Sequence, residues 1–107
     1  MRRIVLTGFR GTGKTEIGRI LSSRLNVSFI DTDDLVETKT GRSIPDIFHY
    51  DGEERFRSIE REVVASLPPA DVIVSTGGGV VTDPENMKHL RRDSTLVLLF
   101  ADIDTIE

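Results

Sequence analysis

Apolar residues gather along this chain in four short runs, Ile4 to Thr7, Val27 to Ile30, Val72 to Ser75 and Leu96 to Phe100, each followed by polar or glycine residues. Runs of this length without polar alternation predict strands buried on both faces. Between them the period changes to that of helices. Ile17, Ile20, Leu21 and Leu25 fall at helical spacing after Lys14, and Phe56, Ile59, Val63 and Leu67 line one face of a segment from Glu53 to Leu67 that Pro68-Pro69 cannot continue. Strands alternating with helices imply parallel pairing through crossovers, so the expected fold is α/β, a parallel sheet with helices on both faces. In such sheets ligands sit at the carboxyl ends of the strands, and the four strand ends should converge on one site.

The stretch between the second and third runs is longer than one crossover needs. A helical insertion spanning about 34–67 is expected there, of the kind that builds a substrate pocket. Gly41 reads as a helix stop, and Ser43-Ile44-Pro45-Asp46 offers an N-cap, an early proline and a third-position acid. After Gly77-Gly78-Gly79, Asp83-Pro84 gives an N-cap and first helical position for a short helix through Leu90. Asp102 or Asp104 begins a further helix that residue 107 leaves at one turn, too short to sustain itself. The expectation is a single domain over 1–107, incomplete at its carboxyl end. The Leu96 to Phe100 run is apolar on both faces without helices to cover it, which predicts association of the isolated chain.

Composition narrows the partner. Fourteen Lys and Arg against 18 Asp and Glu give a net charge of −4, with the two signs scattered, so neither a nucleic-acid stripe nor a membrane-seeking face is present. A phosphorylated small molecule is the partner class that remains. There is no cysteine, which suits a reducing compartment, and Thr7, Gly8 and Arg10 end the first apolar run too early for a signal peptide. A soluble cytoplasmic protein is expected.

The chemistry starts with Gly8-Phe9-Arg10-Gly11-Thr12-Gly13-Lys14-Thr15, a complete phosphate-binding loop between a strand and an amphipathic helix. Gly8, Gly11 and Gly13 let successive main-chain N–H groups, that of Thr12 among them, point inward around a phosphate chain; the Lys14 ammonium reaches the outer phosphates, and the Thr15 hydroxyl can ligate magnesium. The helix N-terminus favours the same charge. Binding of a nucleoside triphosphate follows.

Three further groups stand at the same sheet edge. Asp31-Thr32-Asp33-Asp34 follows the second strand, and strand alternation would point Asp31 and Asp33 one way and Thr32 the other. One carboxylate can hold magnesium and the other can accept the proton of an attacking hydroxyl; the alternative is an N-cap cluster for the next helix. Arg57 lies at the rim of the apolar stripe, with Glu60 at i+3 and Glu53 at i−4 near enough to orient it, and it either pairs with an anionic substrate or is solvated surface. Thr76-Gly77-Gly78-Gly79 after the third strand either admits a ligand to main-chain N–H groups or is a flexible turn. His49 and His89 lack partner spacing for metal or nucleophilic chemistry, and Arg91-Arg92 is a helix C-terminal charge pair.

Taken together, Gly8 to Thr15, Asp31-Thr32-Asp33, Phe56-Arg57 with Glu60, and Gly77-Gly78-Gly79 resemble shikimate kinase in order and spacing. Ile17-Gly18-Arg19, Phe29-Ile30, Thr40-Gly41-Arg42-Ser43-Ile44, Ile47-Phe48 and Pro84-Glu85-Asn86 look like the same family. The resemblance implies a P-loop NTPase-type sheet with four of five expected strands, and ATP-dependent, magnesium-assisted phosphorylation of the shikimate 3-hydroxyl on the route to chorismate and aromatic amino acids. It implies that Lys14 and the loop hold ATP, that Thr15 and Asp31 hold magnesium, and that Asp33 binds the shikimate hydroxyls as candidate base. Arg57, oriented by Glu60, would meet the shikimate carboxylate, Gly78 and Gly79 would contact substrate through their backbone, and Phe48 and Phe56 would line the pocket. Family members continue with an arginine-bearing lid, a second carboxylate-binding arginine, a fifth strand and an adenine-packing segment, and the complete enzyme can be a monomer. A lidless ligand-binding module and a kinase of another small hydroxy acid are the rival readings.

Overall fold

The computed structural model describes residues 2–8, 13–77 and 79–99. Strands β1 (Arg3–Gly8), β2 (Ser28–Asp31), β3 (Val72–Ser75) and β4 (Ser94–Leu99) form one sheet in the order β2-β3-β1-β4. Every pairing between them is parallel. Gly8, Asp31, Ser75 and Leu99 therefore end at the same sheet edge, as the expected convergence of strand ends requires.

Helices cover both faces because the strands are apolar on both. Val5, Val72 and Val74 pack on one side with Val64 of α4 (Glu53–Ala65), Leu67 and Leu90 of α5 (Pro84–Asp93). On the other side, helix α1 (Lys14–Leu25) packs on β1, β2 and β3, and the Phe29 ring lies so close to Gly18 that a Cβ there would collide with it. Three helices fill the stretch between β2 and β3. Helices α2 (Thr32–Thr40), α3 (Ile44–Asp51) and α4 share a second apolar cluster of Val36, Ile47, Phe56, Ile59 and Val63. Gly41 ends α2 in the left-handed region at φ 69°, and the Ser43 hydroxyl caps α3 by accepting from the Asp46 N–H.

Several boundaries differ from the sequence reading. Strand β2 begins at Ser28 and includes Asp31, and β4 begins at Ser94, two residues before its first apolar residue, because pairing with β1 starts at Arg3. Helix α5 runs past Leu90 to Asp93. Arg3 is 4% exposed at the opposite sheet edge, where it donates to Ser94 Oγ at 2.6 Å, Pro68 O at 3.1 Å and His89 O at 3.0 Å. That clamp joins β1, β4, the turn after α4 and the last part of α5. Leu96 of the last strand is exposed. The expected sites Gly11, Thr12 and Gly78, together with Phe100 and the helix start at Asp102 or Asp104, lie outside the described residues. No helix among the described residues is long and apolar enough to cross a membrane.

Candidate functional site

A cleft of about 640 Å³ opens at the carboxyl edge of the sheet. Lys14, Thr15, Asp31, Asp33, Arg57, Glu60 and Gly79 all line it, although they come from four segments of the chain. Phe48 and Phe56 form one wall, with ring centroids 4.7 Å apart.

The phosphate-loop side is built from one stretch of backbone. Gly13 caps α1 at φ 79°, a left-handed conformation that side chains resist, while a Cβ there would touch nothing within 4 Å among the described residues. The glycine is needed for its dihedral and not for room. Lys14 donates from Nζ to the Gly8 carbonyl at 2.8 Å, which turns the ammonium back toward the end of β1, and among the described residues its other N–H groups stay available for anions. Thr15 is exposed in the first turn of α1, beside Lys14.

Across the cleft, charge is arranged by side chains. The strand alternation expected for Asp31, Thr32 and Asp33 is corrected: β2 stops at Asp31, whose Oδ1 accepts the Asp33 N–H at 2.8 Å and caps α2. Asp31 is thus both the N-cap of the alternative reading and a cleft residue, and Asp34 is exposed outside the cleft lining. Thr32, at the first position of α2, is 1% exposed. Burial raises the Asp33 carboxyl above its ordinary value, and the charge of Asp31 adds to this while Lys14 opposes it.

Arg57 donates from Nη1 to Glu60 Oε1 at 3.1 Å, and its Nη2 lies 3.7 Å from Glu53 Oε2. Glu60 is 1% exposed, and burial raises its carboxyl despite the opposing Arg57 hydrogen bond. A buried carboxylate thereby holds one corner of a planar cation whose remaining donors can meet a carboxylate. Glycines make this arrangement possible. A Cβ on Gly77 would sit 2.6 Å from Asp33 Oδ1, and one on Gly79 would run into the Arg57 guanidinium.

Magnesium is a hard cation that takes one or two protein oxygens and keeps the rest of its shell as water and phosphate. The donors fit that habit: Thr15 and Asp31 share the cleft, Asp31 Oδ2 has no protein hydrogen bond among the described residues, and no group of three acidic, histidine or cysteine side chains forms a cage there.

Sequence reasoning missed Glu16, Ile44 and Ser75 in the cleft lining, while Thr76 and Gly77 belong to the glycine stretch it singles out. Glu16 follows Thr15 in the first turn of α1 and was accessible to a helical-wheel argument, whereas Ile44 reaches the cleft only through the packing of α3.

The family model for shikimate kinase matches residues 10–107. A shikimate kinase of Bacillus cytotoxicus is 48% identical over 95% of this chain and 62% of its own length, and one of Caldicellulosiruptor bescii is 43% identical over 99% and 62%. Among solved structures, shikimate kinase from Acinetobacter baumannii in complex with shikimate superposes with TM-score 0.89 at 38% identity, over 92% of this chain and 56% of that one. Shikimate kinase from Aquifex aeolicus superposes with TM-score 0.85 at 36% identity, over 97% and 62%. The chain spans about 62% of the length of the curated relatives it matches. On this match of sequence, fold and cleft, the chain belongs to the shikimate kinase family.

Proposed function

We propose that this chain carries the nucleotide and acceptor sites of a kinase that transfers the γ-phosphoryl group of ATP to the 3-hydroxyl of shikimate. The observation that carries the reading is the meeting of Lys14, Asp33 and Arg57 in one cleft. An amide-lined loop with an ammonium suits the phosphates of ATP. A guanidinium anchored on a buried carboxylate suits the carboxylate of the acceptor, and the shikimate bound by the Acinetobacter relative has that carboxylate and ring hydroxyls.

Asp33 accepts the proton as the hydroxyl oxygen forms its bond to the γ-phosphorus and the bond to the leaving ADP oxygen breaks. Its raised proton affinity suits a general base better than an ordinary surface aspartate would. Lys14 and the loop amides neutralise charge that develops on the phosphoryl oxygens. Thr15 and Asp31 would hold magnesium, which would supply further neutralisation of the phosphate charge. Phe48 and Phe56 offer an apolar wall to the acceptor ring. Gly79, and Gly78 with it, would approach the acceptor through main-chain N–H groups. The absence of cysteine fits a reducing cytoplasm.

The test is shikimate-dependent ADP release by a protein carrying this sequence at its relatives' full length. A folded protein whose ATP turnover does not respond to shikimate contradicts the proposal, and binding of both ligands without transfer would favour a binding module. Exposed Leu96 on the last strand supports self-association of the 107-residue chain. Sedimentation as a sharp monomer with a cooperative melt would contradict that part.

A further inference from the structure

Between the two cleft carboxylates stands Thr32, whose side chain is buried away from bulk water. Its Oγ1 accepts the Gly77 main-chain N–H at 3.0 Å, across 45 positions of sequence. This is where the β3 ladder ends. Thr76 N–H donates to Leu6 O at 3.1 Å and Thr76 Oγ1 donates to the same carbonyl at 3.2 Å, so the Gly77 N–H is the first main-chain donor past the pairing with β1. Gly77 O in turn accepts from Val80 N–H at 3.1 Å, and Val80 O accepts from the buried Asn86 side chain at 3.2 Å. Among the described residues, the Thr32 bond is the one hydrogen bond joining α2 to the glycine loop.

Position gives the bond a consequence beyond satisfying an amide. The loop touches Asp33 at Gly77 and Arg57 at Gly79, the two side chains that face the acceptor. Without the tether, nothing polar would set how far Gly77 stands from the helix that carries Asp33. We propose that Thr32 is a positioning residue: by accepting the Gly77 N–H it fixes the glycine loop against Asp33 and Arg57 and keeps the acceptor half of the cleft formed for a hydroxylated carboxylate. The identity of that ligand as shikimate rests on the functional reading above. Lys14 and Thr15 line the cleft from a different segment and take no part in this bond, so the tether acts on the acceptor and leaves the nucleotide alone.

Thr32→Val keeps the shape of the side chain and removes the acceptor, while Thr32→Ser keeps the acceptor. With glycines labelled by ¹⁵N, amide exchange reads the bond at Gly77, and calorimetry reads shikimate and magnesium-ADP separately. Thr32→Val should exchange the Gly77 amide at least about tenfold faster and bind shikimate roughly tenfold more weakly, with magnesium-ADP within about twofold of wild type. Thr32→Ser should restore both. Equal weakening of the two ligands, an unchanged Gly77 amide, or a serine variant no better than valine would overturn the proposal. Should the valine variant not fold, an unprotected Gly77 amide in the wild type overturns it directly. A wild-type chain that fails to bind shikimate contradicts the functional reading instead, and Gly77 exchange still tests the tether.

Discussion

The two sides of the cleft are made by different means. The described part of the phosphate side is Gly8 at the end of β1 and the start of α1, with Gly13 in a left-handed conformation and Lys14 turned onto Gly8 O. The acceptor side is collected from α2, α4 and the loop after β3, and its parts are side chains pressed against glycines. Backbone amides recognise what phosphates share, whereas a buried carboxylate, an oriented guanidinium and a base recognise one acceptor. On the proposed function, the first side would bind the nucleotide and the second would decide what receives the phosphoryl group.

The largest effect should come from the side common to such kinases. Lys14→Met keeps the length of the side chain and removes its charge, and shikimate-dependent ADP release should fall on the order of 10³-fold. A loss under tenfold would mean that the ammonium on Gly8 O does not reach the transferring phosphoryl group. Next is Asp33→Asn, which removes the base without changing shape, and kcat should fall by about 10²-fold or more while magnesium-ADP binding holds. An equal loss of nucleotide affinity would erase the distinction between the sides.

Glycines divide the cleft more finely. Gly79 has φ −87°, which any residue adopts, so Gly79→Ala acts only through the collision with Arg57 and should weaken shikimate about tenfold with little change in nucleotide affinity. Gly13→Ala meets no neighbour and instead strains the backbone, costing about 1 kcal/mol or more of stability and weakening nucleotide. If the two substitutions act alike, the contrast between conformation and room is wrong.

The smallest effect is one of stability. A raised folded-state pKa for Asp33 means that the folded chain prefers the protonated group: its contribution is complete below the ordinary aspartate range and is lost as pH rises through the folded value. At neutral pH the ionised carboxylate therefore weighs against folding. Asp33→Asn should melt a few degrees higher than wild type at pH 7, with the difference vanishing below about pH 4. Glu60 shifts in the same direction but also anchors Arg57, so neutralising it has no such simple benefit.

What could be read from the sequence follows the same division. Strand runs, the phosphate loop, the Ser43 and Asp83 caps and the stop at Gly41 were legible because each is a local pattern with a local cause. Strand alternation was carried two residues beyond Asp31, where the chain already turns into α2; Asp31 caps that helix and still lines the cleft. The Thr32–Gly77 bond and the reasons for Gly77 and Gly79 were illegible, since each depends on a contact across 22 or more positions that only the folded sheet brings about. The Arg57–Glu60 pair was foreseen from i,i+3 spacing, but the burial of Glu60 that makes it an anchor was not.

The claim on which the account rests is that Arg57 reads the acceptor's carboxylate. The direct measurement is kcat/KM for shikimate and for its methyl ester, in the wild type and in Arg57→Ala, at the relatives' full length. The account predicts that the wild type prefers shikimate by roughly 100-fold and that Arg57→Ala accepts both nearly alike, with its loss confined to shikimate. The same preference in both proteins would contradict it.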